Sequence, residues 1–261
     1  SYAAESQLLT LVQLTVPPGA TDYVNSMWEI QKEPFAGDVV NSYNDGPPSP
    51  GAKPLGPFYE LESSSPAAAL APGQSLTQKF PVLHYGPVPS FNPATWDFRV
   101  WGEVEQEKRW TWEEFNQLPR TRLVMDIHCV TRWSKLDTAW EGVSLRTLLE
   151  QGLVKPKPTA HFVMQHAEYG FTTNLPLEVM LGDNFLLATH YEGQPLTPDH
   201  GYPLRGVVGH LQEVDGLVTP YFWKGAKWLR SLEFMVHDRR GFWEQAGYHN
   251  RADVWKEERF G

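Results

Sequence analysis

The chain has one cysteine in 261 residues, Cys129, so no internal disulfide can brace it and nothing in it demands an oxidising compartment. Positive charge is the scarcer sign, 22 Lys and Arg against 31 Asp and Glu, a formal charge of −9. An acidic surface repels phosphate backbones, so a nucleic acid is not an expected partner. Two or three cations lining a pocket can still hold a small anion. The most apolar early segment, Leu8–Val16, is too short for a bilayer and is broken by Thr10, Gln13 and Thr15. It lacks the basic flank and small-residue cleavage site of a signal peptide. The expectation is a cytoplasmic protein without a membrane span, although the start at Ser1 leaves room for a removed leader. A glycine-rich phosphate loop, a dinucleotide fingerprint, a nucleophile-elbow serine and a paired-histidine zinc helix are also missing. Their absence sets aside the familiar nucleotide, nicotinamide, serine-hydrolase and zinc-protease chemistries.

What remains is an ordinary globular composition, 41% hydrophobic and 20% charged, with enough apolar surface for a core. The texture changes along the chain. Asp45–Gly73 holds seven of the 22 prolines, and proline removes backbone donors and disfavours helix in its predecessor. Residues 1–75 therefore read as a Pro/Gly-rich extension or a small β-rich segment, with "LLTLVQLTV" at Leu8–Val16 as a strand. This stretch resembles a piece of an uncharacterised bacterial β-sandwich family, from which no function follows. Residues 76–261 read as the main domain.

There the signals are regular. "WDFRVWGEV" alternates as a half-buried strand does. Thr111 and Glu114 form a capping box that opens a short helix over "WTWEEFNQL", which Pro119 closes. "RLVMDIHCV" is a strand that places Cys129 at or just past its end. Ser144 caps "LRTLLEQ", with Gly152 as the stop. "AHFVMQHAEYGF", "NFLLATHYEGQPL" (turning at Glu192-Gly193) and "KWLRSLEFMVHD" are strands, and "PLEVML" is a helical turn or two. Short strands outnumber short helices without a βαβ rhythm, which predicts a sheet-dominated α+β fold.

A lone cysteine is most often a small buried hydrophobe, and so is the plain reading of Cys129. Its neighbours offer another. In "HCVTRWS" the thiol stands beside His128 and Arg132, where it could become a thiolate, a soft ligand for a redox metal or a nucleophile. Two later stretches look like anion-holding elements. "HGYPLRGVV" brings His200 and Arg205 around a tight turn. "WKGAKWL" brings Lys224 and Lys227 with Gly225 and Ala226, small residues that let backbone N–H groups approach a ligand. His190, His200 and His210 fall ten apart, a spacing that matches no compact metal site.

Taken in order, "FPVLHYGPVP", "DIHCVTRWSKLDTAWEGVSL", "HGYPLR", "KWL" and "GFWEQAGYHNRADVWKEER" resemble the molybdopterin-binding domain of the sulfite oxidase family, most nearly its small single-domain bacterial and archaeal branch. The resemblance implies that family's α+β fold and a cofactor of molybdenum with one pterin dithiolene. Cys129 would ligate the metal. His84, Tyr85, His200, Arg205, Ala226 and Lys227 would hold the pterin and its phosphate. Cys129, Arg132 and Trp133 would form the catalytic set.

Two departures bear on the substrate. Leu83 and Ser134 stand where sulfite oxidases keep arginines that collect a dianion, leaving Arg132 as a substitute. The cysteine segment is closer to bacterial protein-methionine-sulfoxide reductases, sharing Cys-Val and the offsets of Trp133 and Ser134. With Trp133 and Trp140 as an apolar wall, the expected reaction is oxygen-atom transfer, as reduction of organic S- or N-oxides. The partners would be a small-molecule substrate and an electron donor or acceptor. The alternatives are sulfite oxidation by the same cofactor, a non-catalytic carbohydrate- or peptide-binding β-rich module, and a metal-free thiol enzyme using His128 or His166.

Overall fold

The computed structural model describes the backbones of residues 2–3, 8–9, 40–44 and 59–63, and residues 75–83, 86–209, 222–251, 253–256 and 258–260. Most of the strand expected at Leu8–Val16, together with His84, Tyr85 and His210, lies outside the described residues. The chain divides into two compact units, Ser1–Ala69 and Leu70–Gly261. In the first, β1 (Tyr2–Ala3) pairs antiparallel with β2 (Leu8–Leu9), and β3 (Val40–Asn44) with β4 (Tyr59–Ser63).

The second unit is built on two sheets. Its strands are β5 (Ser75–Leu76), β6 (Asp97–Gly102), β7 (Lys108–Thr111), β8 (Thr121–Cys129), β9 (Trp133–Val143), β10 (Phe162–Ala167), β11 (Thr172–Pro176), β12 (Phe185–Tyr191), β13 (Gln194–Pro195), β14 (Arg205–Val208) and β15 (Leu229–Met235). The helices are α1 (Trp112–Asn116), α2 (Leu145–Glu150), α3 (Leu177–Met180) and α4 (Phe242–Gln245). One sheet has the order β11-β10-β15-β6-β7, antiparallel except where β15 runs beside β6. The other has the order β13-β12-β9-β5, with β14 on β12 and β8 on β9. This is the expected sheet-dominated α+β fold. No helix among the described residues is long and apolar enough to cross a membrane.

Local chemistry accounts for most of these elements. At α1, Thr111 Oγ1 accepts the Glu114 N–H, and Glu114 Oε2 accepts the Thr111 N–H at 2.8 Å, completing the capping box. Ser144 is the N-cap of α2 but its side chain makes no cap bond; burial of Leu145 and Leu148 holds that helix instead. Glu192 and Gly193 both have positive φ, 49° and 72°, which gives a two-residue hairpin the twist of its flanking strands.

Strand β9 was not read from the sequence. Its pairing with β8 shifts between Met125 and Ile127, and Asp137 sits at φ 54° with its N–H bonded to Asp126 Oδ1 at 2.8 Å. That bulge interrupts the period-two alternation that marks a strand. Strand β8 places the site. Its first four residues alternate in exposure and its last five, Met125 to Cys129, are all buried, so it runs from the surface into the core and ends there.

Candidate cofactor and active site

Cys129 closes β8, and the three residues Val130, Thr131 and Arg132 turn the chain into β9, where Trp133 pairs with Cys129. Arg132 N–H donates to the Cys129 carbonyl at 3.0 Å, and Arg132 takes φ 70°. This is the three-residue hairpin whose last member is left-handed. The turn folds back over the sulfur: Thr131 Oγ1 donates to Cys129 Sγ at 3.1 Å. Burial pushes the thiol's pKa up, while the Thr131 hydroxyl, the backbone N–H groups of Thr131 and Val130, and the Arg259 charge pull it down. A cysteine that merely packs needs no donors. Several aimed at one sulfur suit an acceptor that carries charge.

A second constellation gathers around Gly201, which follows a short 3-10 turn at Pro198–His200. Gly201 has φ 109°, and a Cβ there would lie 3.1 Å from the Cβ atoms of both Arg205 and Lys227. Glycine is what lets His200, Arg205 and Lys227 crowd together. His200 donates Nε2–H to the Phe80 carbonyl at 3.1 Å, leaving Nδ1 to accept from Thr197 Oγ1 at 2.8 Å. That arrangement suits a neutral ring, and burial lowers its pKa despite the Phe80 carbonyl.

Arg205 is 3% exposed. Its Nη1 donates to the His200 carbonyl at 3.0 Å, but its buried Nε has no hydrogen-bond partner among the described residues. The guanidinium lies 5.5–5.6 Å from the ring centres of Phe80, Trp140 and Phe222. Burial pushes its pKa down to about 10, and burial followed by the Arg205 charge pushes Lys227 down to about 7. Desolvated cations are costly, the Asp199 charge offsets only part of that cost at Lys227, and an anion relieves it further.

The aromatic rings join the two constellations. Cys129, Trp140 and Phe222 belong to one packed cluster, with Phe80 and Trp133 against it, and Phe80 stacks on His200 with ring centres 4.2 Å apart. This donor set fits a molybdenum–pterin group. The chain offers one cysteine sulfur, that of Cys129, which would serve as a thiolate ligand beside a cofactor's own sulfur donors. An orphaned guanidinium N–H beside Lys227 fits the phosphate.

Several expectations change in detail. Ala226 is fully buried: its N–H donates to Gln165 Oε1 at 3.2 Å and its carbonyl accepts from Gly206, so its amide is committed within the protein. A Cβ at Gly225 would lie 2.3 Å from the Gly206 carbonyl oxygen; the small residue is required by backbone packing on β14. Lys224 is buried and ion-paired with Glu244 at 2.9 Å, and so is no anion-holding residue. Trp140 is 1% exposed and lies against Arg205, with its indole N–H on Thr138, which removes it from a substrate wall. Trp133 is half-buried and packs on Phe80 and Phe222. Ser134 is fully buried, its Oγ 2.8 Å from His128 Nδ1. His166 belongs to the other sheet, 2.8 Å from Glu233. Thr131, Phe80, Gln165 and Arg259 were not singled out from the sequence, and no spacing rule would have found them.

Comparison with known proteins shows the family. Residues 85–243 match the oxidoreductase molybdopterin binding domain family, and residues 1–88 match a family of unknown function, DUF6786. The uncharacterized oxidoreductase YuiH of Bacillus subtilis is 44% identical over 204 residues, covering 78% of this chain and 98% of that protein. YedZ1 of Azospira oryzae, named "Putative protein-methionine-sulfoxide reductase subunit", is 27% identical over 70% of this chain and 66% of its own. The mitochondrial sulfite oxidase of Drosophila melanogaster is 25% identical over 65% of this chain and 32% of its own. The chain belongs to the oxidoreductase molybdopterin-binding domain family, of the sulfite oxidase type, and is a molybdopterin-dependent oxidoreductase.

Proposed function

We propose that this oxidoreductase reduces organic S- or N-oxides by oxygen-atom transfer. The observation that carries the reading is where fixed positive charge sits. His200, Arg205 and Lys227 cluster at the turn suited to the cofactor phosphate, whereas the residues at the sulfite-oxidase arginine positions bring none to the sulfur. Ser134 is buried against His128, and Leu83 is an apolar side chain 70% exposed. A neutral oxide needs no dianion trap, and the half-buried Trp133 is the apolar surface left to it, contributing about 25 cal/mol per Å² removed from water.

When bound, the molybdenum–pterin group supplies the two-electron chemistry. The chain's own residues hold and shield it. Cys129 offers one thiolate, Arg205 gives the phosphate its free Nε–H, Lys227 adds a point charge, and neutral His200 is fixed by Thr197 and Phe80. Overall the oxide takes two electrons and two protons and leaves as the reduced compound and water, the electrons coming from an external donor. The relationship to YedZ1 supports the substrate class.

The test compares kcat/KM for several sulfoxides and N-oxides with reduced viologen against that for sulfite with an artificial acceptor. Efficient low-KM sulfite turnover with silent oxides would overturn the proposal. One observation favours that second reading: Arg259, exposed on the tail, is a cation whose charge reaches the Cys129 sulfur. In Cys129→Ser, activity on either substrate should collapse while much of the pterin is retained, because an alkoxide is a harder donor.

A further inference from the structure

We infer that Thr131 sets the redox potential of the metal by hydrogen-bonding the sulfur of Cys129. The inference rests on Cys129 being the metal's thiolate ligand, and it concerns a residue with no assigned role. Three features of the turn carry it. The hydroxyl lies 3.1 Å from Sγ, within donor range for sulfur. The left-handed Arg132 and its 3.0 Å bond to the Cys129 carbonyl tighten the loop so that residue 131 faces back toward residue 129. Cys129 is buried, 6% exposed, so water does not compete strongly for its sulfur.

A neutral thiol is a weak acceptor, and a threonine on an ordinary turn would gain more by bonding a carbonyl or water. Aiming its hydroxyl at sulfur is favourable when that sulfur carries negative charge. Once the sulfur binds a metal, a donor on it withdraws electron density and weakens its donation to the metal. The oxidised metal then loses more stabilisation than the reduced one, and the potential rises. Thr131 is thus a positioning residue for the sulfur's lone pairs. It touches no substrate.

The experiment uses the full chain loaded with cofactor, as wild type, Thr131→Val, Thr131→Ser and Cys129→Ser. Metal content is measured first, then the midpoint potential and the paramagnetic resonance of the one-electron-reduced metal. Thr131→Val, which keeps the shape without the donor, shifts the potential to more negative values and changes the resonance, at full metal content. Thr131→Ser restores both, an outcome that a purely structural role would not produce. If Thr131→Val does not load, Thr131→Ala against Thr131→Ser makes the same comparison. Equal potentials and spectra for the variants with and without the hydroxyl overturn the inference. Cys129→Ser separates the underlying reading. A wild-type spectrum there removes the ligand assignment itself, whereas a changed Cys129→Ser spectrum with an unchanged Thr131→Val spectrum removes only the role of Thr131.

Discussion

Asp97 and Arg205 are both buried charges, and their surroundings are opposite. Asp97, on β6, is met by Arg99 at 2.8 Å and by Arg109 and Arg230 at 2.5 Å each. Burial alone would raise its pKa, but the hydrogen bonds from Arg99, Arg230 and Arg109 outweigh that and hold it at about 2. Lys224 is also paired, lying 2.9 Å from Glu244 and donating to Asn174 and Asn250 at 2.9 and 3.2 Å, and the Glu244 oxygens are held by that ion pair without a hydrogen bond of ordinary geometry among the described residues. Arg205 has rings around it, a carbonyl on one nitrogen and, among the described residues, nothing on Nε. A closed network is structural, since its charges answer one another within the fold. An open one carries a desolvation cost that a ligand must offset. The contrast supports the proposal that the phosphate would sit at Arg205.

The sharpest way to break the contrast is to give both cations the same substitution. Lys224→Met strands the Glu244 carboxylate, 1% exposed, and should cost about 3–5 kcal/mol in chemical denaturation. Adding Glu244→Gln to it should recover part of that loss. Arg205→Met removes a charge with no carboxylate partner among the described residues, so the cofactor-free protein should lose less than it does in Lys224→Met, about 2 kcal/mol, the order of a desolvated ring contact. Its effect appears on ligand retention: losing a charge-assisted bond worth about 1.5–3 kcal/mol should lower molybdenum per chain after dialysis by roughly tenfold or more in affinity. Unchanged retention would move the phosphate site elsewhere.

Smaller effects follow from acid. The Asp97 carboxyl is held below its ordinary value in the folded state, so its contribution is present above about pH 4 and is lost as pH falls toward about 2. The shift corresponds to about 2 kcal/mol, reduced toward about 1 by the exposure of Arg99 and Arg109. Asp97→Asn should flatten the stability curve over that window.

A pH effect of the opposite kind is expected at Lys227, whose folded-state pKa is pushed down to about 7 by burial and Arg205. Its charge is disfavoured on folding, so that cost is complete below about pH 7 and fades toward the ordinary lysine value, and stability rises across that interval. Anion binding favours the ammonium and runs the other way. Sulfate affinity, measured by titration calorimetry, should hold below about pH 7 and weaken above it. Lys227→Met should show a flatter profile.

Much of the scaffold was readable because its signals are local. The Thr111 capping box, the Glu192-Gly193 turn and the apolar runs of β6 and β15 depend on residues within a few positions of one another. Strand β9 was not readable, because its bulge at Asp137 is defined by a bond to Asp126 on another strand. The same division runs through the site. Residue type and order singled out Cys129, His200, Arg205 and Lys227, since only a few side chains can supply a soft sulfur or answer a phosphate.

Sequence alone could not tell Lys224 from Lys227, three residues apart in one motif. One points into Glu244 and Asn174, the other reaches the Asp199 carbonyl at 2.7 Å beside Arg205. Nor could it show that Ala226 spends its amide on Gln165, or that Thr131 turns its hydroxyl onto sulfur. By itself the sequence determined which chemistries were available and the strands and caps that carry them. Which cation is closed by a partner and which is left open was decided by tertiary packing, because a charge's cost and its pKa depend on everything brought around it in space.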